Sequence, residues 1–225
     1  MSLAPELTEF TTASPAIISY NYTDIIDGAG VIIFKAFSTN ESGTEDYHIS
    51  ASSIKSNTQY TATLINSSTF STAANLDFDT SPFNSARTVK GTAYFIIPLG
   101  YVQGGSSAGI MRCTITINHF DGTTETSIGS AISEEADLDT STDNHISKKV
   151  IVKVVLTERL FAEGDILRVN ILAEGKYEIH TTGTGYYCLG HDPAGRITQE
   201  TTNINPFEDY DDPVMEMHIP FKIDI

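Results

Sequence analysis

The chain has 225 residues and a mass of 24.4 kDa, with 40% hydrophobic and 19% charged residues, a formal net charge of −16 and a pI near 4.5. A chain of this length buries roughly 70% of its unfolded surface, enough for a core without disulfide or metal support. Recurrent aliphatic and aromatic residues exclude bulk disorder, no run approaches the ~20 apolar residues of a membrane helix, and so acidic a surface repels a phosphate backbone. Neither a membrane nor a nucleic acid is therefore expected as a partner.

In chain order, Met1 to Ser14 lacks the basic and apolar regions of a signal peptide and reads as an exposed arm. Residues 15–225 read as a single β domain. Ile18, Tyr20 and Tyr22 alternate, and Val31 to Phe37 is a short buried run after Asp27-Gly28-Ala29-Gly30. Weaker strand candidates are Tyr60 to Ile65 and Ala74 to Phe78. Ala93, Phe95 and Ile97 form one inward row. Cys113, Ile115 and Ile117 form another, alternating with Arg112, Thr114, Thr116 and Asn118. Asp121-Gly122 then supplies a tight turn, and Thr124 to Ile132 returns as the partner strand, so 110–132 is a predicted hairpin.

Val150, Val152, Val154 and Leu156 make a further inward row. Ile151 and Val155 on its other face predict a central strand or an intersubunit contact. Leu167, Val169, Ile171 and Ala173 follow, entered through Glu163-Gly164-Asp165. At the end, Met215, Met217, Ile219, Phe221, Ile223 and Ile225 alternate with polar residues, and Pro220 predicts an edge position or a bulge. No window of 12 or more residues sustains a 3.6 period. Eight to ten strands at this spacing predict an all-β fold, a sandwich or a barrel, of which an antiparallel β-sandwich is the reading taken. Two long loops are expected, 133–145 and 183–213.

Candidate chemistry is sparse. Gly105-Ser106-Ser107-Ala108-Gly109 matches the nucleophile-elbow pattern, which needs a strand, a sharp turn and then a helix. The segment after it alternates as a strand, so a small-residue loop is the reading, and no catalytic residue is assigned. Asp137, Asp139 and Asp143 offer oxygen ligands at alternating positions, and Asp209, Asp211 and Asp212 form a second acidic group. These are calcium candidates that lack the glycine and bidentate glutamate of an EF-hand. His48, His119, His145, His180, His191 and His218 pair at no zinc spacing, and Cys113 and Cys188, 75 positions apart, read as buried free thiols. No other cofactor is indicated.

Phe161-Ala-Glu-Gly-Asp165-Ile-Leu-Arg168-Val-Asn-Ile171 resembles a strand that recurs in jelly-roll sandwiches. Gly190-His191-Asp192-Pro193-Ala-Gly-Arg196, with the terminal Ile219-Pro-Phe-Lys-Ile-Asp-Ile225, resembles the endings of jelly-roll virion structural proteins of tailed viruses, such as head decoration proteins. The resemblance covers about the last 65 residues and implies a jelly-roll sandwich acting as a non-enzymatic virion subunit, not an enzyme. It also implies a homotrimer that stabilises a capsid through contacts with itself and with a major capsid protein. His191, Asp192 and Arg196 are expected to form a structural turn. The alternative is a receptor- or glycan-binding sandwich, with calcium as its candidate ligand and the two long loops as its rim.

Overall fold

A computed structural model describes residues 18–19, 29–40, 43–52, 54–103, 108–139, 145–177, 184–194, 206–207 and 213–222. The strands are β1 (Ile18–Ser19), β2 (Ala29–Thr39), β3 (Asp46–Ser50), β4 (Tyr60–Ile65), β5 (Ser71–Asp79), β6 (Arg87–Gln103) and β7 (Ala108–Phe120). They continue as β8 (Glu125–Ile132), β9 (Ala136–Asp139), β10 (His145–Phe161), β11 (Ile166–Tyr177), β12 (Gly185–Gly190) and β13 (Glu216–Lys222). Among the described residues there is no helix. The fold is all-β and almost wholly antiparallel, the one parallel contact among the described residues being His48 of β3 beside Asp79 of β5.

The 17-residue β6 is the hub. One of its edges pairs with β10, from His145 opposite Val102 to Phe161 opposite Arg87, with an irregularity between Leu156 and Arg159. Its other edge is shared end to end by β13, over Val89 to Ile96, and β12, over Leu99 to Gln103. β13 leads on to β2 and β3, and β12 to β4. The second layer is β5, β11 and β7, with β8 and β9 following one another along the far edge of β7.

Alternation decides which residues fill the space between the layers. Ala93, Phe95, Ile97 and Leu99 of β6, Val154 of β10, Cys113, Ile115 and Ile117 of β7, and Val169, Ile171 and Ala173 of β11 are fully buried, as are Met217 and Ile219 of β13. One stacked pair of tyrosines locks the layers together. Tyr101 of β6 lies against Gly109 of β7 and Gly185 of β12, Tyr187 of β12 lies against Gly175 of β11, and the two rings sit 5.0 Å apart. A side chain at any of these glycines would occupy the space of a ring.

The Tyr187 hydroxyl is buried with no partner among the described residues. Removing an unsatisfied buried hydroxyl is favourable, so Tyr187→Phe should raise stability by about 1 kcal/mol. A shifted urea midpoint at constant slope would show it. A comparable loss would mean that the hydroxyl is satisfied from outside the described residues.

Several expectations need correction. β10 pairs only with β6 among the described residues, so Ile151 and Val155 do not lie on a central strand. Pro220 lies in a strand paired on both sides, and a register irregularity falls between His218 and Phe221, so the bulge is present and the edge position is not. Both expected loops contain a strand, β9 in the first and β12 in the second. The alternation of β12 is hidden because Gly185, Tyr187, Cys188, Leu189 and Gly190 are all buried. The hairpin stands, with Gly122 at φ 88°. Cys113 and Cys188 are free and buried, and burial pushes the Cys113 thiol up to about 11.

Candidate functional site

The two outer faces differ in kind. On the β5-β11-β7 face, Arg168 donates to both Asp79 oxygens at 2.8 Å and to Glu125 at 3.1 Å. Asn170 donates to Asn75 and Asp77 at 2.9 and 2.8 Å. Arg112 donates to Glu174 at 2.9 Å and stacks 3.9 Å over Phe70. Polar groups there satisfy one another.

The outer face of β6 and β10 is apolar instead. Tyr94, Ile151, Val155 and Leu160 are 45%, 69%, 70% and 60% exposed. Register sets them side by side: Ile151 opposes Ile96, Lys153 opposes Tyr94, and Val155 opposes Thr92. Across β6, Glu216 opposes Ile96 and His218 opposes Tyr94. Lys149 therefore borders the patch on β10, Lys153 sits within it between Ile151 and Val155, and the Glu216 carboxylate borders it on β13. Toward the C-terminal end of β6 the chain covers this sheet itself. Phe207 is 1% exposed there, and Pro206 packs so closely on Gly100 that an added Cβ would lie 2.3 Å away.

Beside this face runs a groove of about 810 Å³ between Ile132 to Asp137 and Lys148 to Lys153. One end is closed where β8 meets β10, since a Cβ on Gly129 would lie 2.8 Å from the Val155 carbonyl. Its walls are strand edges: β10 pairs only with β6, and β9 only with β7, among the described residues. The Lys148 ammonium donates across the groove to the Asp137 carbonyl, a common way to blunt a sheet edge.

Two histidines are built into buried networks. His119 meets Asp165 through Nε2 at 2.6 Å and Arg159 through Nδ1 at 3.1 Å. Arginine only donates, so Nδ1 accepts, Nε2 carries the proton, and the ring is neutral. The bond from His119 lowers the Asp165 carboxyl from its ordinary value. With both nitrogens engaged, the imidazole has no lone pair left for general-base work.

His191 is fully buried and lies 3.2 Å from the Thr61 hydroxyl through Nε2. Thr61 is 3.3 Å from the Tyr47 hydroxyl, which donates to Glu45 at 3.0 Å. Every donor in this relay points toward Glu45, which leaves Nδ1 of His191 an acceptor without a partner among the described residues. Burial, the largest influence, pushes His191 down to about 4.

Of the calcium candidates, Asp137 and Asp139 lie on the extended strand β9 rather than in a loop. Asp143, Asp209, Asp211 and Asp212 lie outside the described residues, as do Ser106 and Arg196. Among the described residues no three His, Cys, Asp or Glu side chains converge as a metal site. The loop containing Ser106 joins β6 to β7, two strands. Asp192 receives the Ala194 amide at 3.1 Å, an Asx-type turn as expected. The apolar patch was half legible in Ile151 and Val155. The contributions of Tyr94 and Leu160 depend on strand pairing and on the irregularity after Leu156.

The chain is thus an all-β antiparallel sandwich with one apolar outer face. No protein-family model and no curated protein matches it. Solved structures similar to it include a CocE/NonD family hydrolase from Staphylococcus aureus, 12% identical, with a TM-score of 0.45 over 84% of this chain and 36% of that one. An α-amino acid ester hydrolase is 8% identical, with a TM-score of 0.48 over the same shares. The structure of infectious bursal disease virus, Gx strain, is 8% identical, with a TM-score of 0.27 over 92% of this chain and 52% of that one. The chain spans about a third of the length of the hydrolases it matches, 36%. This finding overturns two expectations, the virion decoration protein and the chain that is not an enzyme, because the hydrolases stand above the viral structure. At these identities, and with TM-scores below 0.5, the likenesses assign no activity.

Proposed function

We propose that the chain is an association module that joins a second copy of itself through the outer face of β6 and β10. The observation that supports this reading is the row of Tyr94, Ile151, Val155 and Leu160, exposed side by side on one sheet face. Charge selects the partner. On a chain with net charge −16, this face carries Lys149 and Lys153 on β10, flanking Ile151, and Glu216 on β13. A two-fold axis parallel to β6, lying between the facing sheets, lays β10 of one copy over β13 of the other. Each lysine pair then flanks the partner's glutamate, and Tyr94 and Ile96 of the two β6 strands meet at the axis. Isologous pairing of this kind is the commonest closed assembly.

The test is the Ile151→Glu, Val155→Glu double variant. Both positions are exposed and their strand pairing is unchanged, so circular dichroism and thermal midpoint should match the parent. Self-association should be lost, whereas Val155→Thr, which keeps the β-branched shape, should weaken it by a smaller step. A double variant with the parent's assembly mass would overturn the proposal.

A further inference from the structure

We infer that the pocket between β2, the start of β6 and the end of β13 binds a small organic carboxylate with an apolar body. The pocket is separate from the association face, and the inference does not depend on self-association. Its volume is about 280 Å³, at the small end of ligand sites, which begin near about 300 Å³. Strand register builds its floor. Phe221 of β13 opposes Gly30 of β2, which adds no side chain there, and Ile32 follows on the same face of β2. Ile32 and Phe221 are both buried, so the floor is apolar and largely withdrawn from water.

The rim is cationic. On a chain with 29 acidic and 13 basic side chains, Arg87 and Lys222 both line this pocket, and none of its lining residues is Asp or Glu. Neither cation makes an ion pair among the described residues. An aromatic ring holds Arg87 instead, with Cζ 5.7 Å from the centroid of Phe83, a cation–π contact. Phe83 is itself fixed. Its amide donates to the Asp165 carbonyl at 2.9 Å, its carbonyl accepts from Gly164 at 2.8 Å, and its ring packs edge-on against Phe161 and Phe221. Stacking engages the face of the guanidinium and leaves the N–H fork in its plane for a carboxylate, which takes two parallel bonds. Lys222 adds a second positive charge, and the body of the ligand covers Phe221 and Ile32. The net charge of −16 repels anions at long range, but salt at about 0.15 M screens that field beyond ~8 Å, so the two nearby cations decide.

The experiment titrates phenylacetate into the isotope-labelled full chain and follows the amide NMR signals. Phenylacetamide serves as the neutral counterpart and acetate as the anion without a body. Saturable binding of phenylacetate is expected with a Kd of about 1 mM, the affinity of so small a ligand, with shifts at Gly30, Arg87 and Phe221. Phenylacetamide and acetate should each bind about tenfold more weakly. Arg87→Gln should weaken phenylacetate by about tenfold, and Arg87→Lys, which keeps the charge but not the fork, by less. Arg87 is exposed, so both variants should keep the parent's thermal midpoint. Lys90→Gln removes a cation outside the pocket, paired with Glu158, and should change nothing. The Ile151→Glu, Val155→Glu variant should bind as the parent does, so the two proposals fail separately. No saturation at about ten times the expected Kd, or affinity for phenylacetamide or acetate equal to that for phenylacetate, would overturn the inference. So would shifts that map away from the pocket, or equal losses in Arg87→Gln and Lys90→Gln.

Discussion

Gly185→Ala should destabilise the fold by about 3 kcal/mol, at the upper end of overpacking effects. A Cβ at Gly185 would lie 2.1 Å from Cε2 of Tyr101 and 2.5 Å from its hydroxyl. The ring has nowhere to go. Gly109 closes its other side, where a Cβ would lie 2.7 Å away, and Tyr187 packs 5.0 Å from it, itself so close to Gly175 that a Cβ there would lie 2.2 Å from its ring. Gly175→Ala should therefore behave alike, and a Gly175→Ala, Gly185→Ala double variant should depart from additivity because both act on one stack. Urea unfolding at constant slope reads all three. A loss below about 0.5 kcal/mol, the level of ordinary surface changes, would show that the stack yields easily and does not lock the layers.

Acid should destabilise the protein before its carboxylates begin to protonate. His191 is held down at about 4, against about 6.5 in an unfolded chain. Between these values the unfolded chain binds a proton that the folded one refuses, so stability is complete above about 6.5 and falls with pH toward 4. Over the whole window the loss is on the order of 3 kcal/mol, one proton across about 2.5 pH units. Burial outweighs Glu45 and Asp192, which both act to raise the value. His191→Gln cannot take the proton and should flatten the curve between pH 6.5 and 4. An unchanged slope in that variant would assign the acid sensitivity to other groups.

The class of fold was legible because buried rows recur at period two, and the β7–β8 hairpin because Asp121-Gly122 fixes its turn. Strand order was not legible, since alternation reports which face is buried and not which strand lies alongside. Nothing in the sequence of β6 says that it pairs with three strands, or that Pro206 and Phe207 cover one end of its outer face. β12 was missed because burial on both faces erases alternation, and its glycines read as loop signals although they make room for Tyr101 and other neighbouring rings. The His191 relay joins Glu45, Tyr47, Thr61 and His191, with Thr61 and His191 130 positions apart, and leaves no local pattern. The resemblance in the last 65 residues pointed to a virion subunit because turns such as His191-Asp192-Pro193 serve any sandwich. Such segments carry fold information without function.

The measurement that bears most directly on the central proposal is the molar mass in solution, by light scattering across a dilution series, of the parent chain and the Ile151→Glu, Val155→Glu variant. The two-fold assembly predicts about 49 kDa, twice the chain mass of 24.4 kDa, for the parent, and the single-chain mass for the variant. About 73 kDa for the parent would replace the two-fold axis with a three-fold one. A parent chain at 24.4 kDa at every concentration, or equal masses for parent and variant, would contradict self-association through this face.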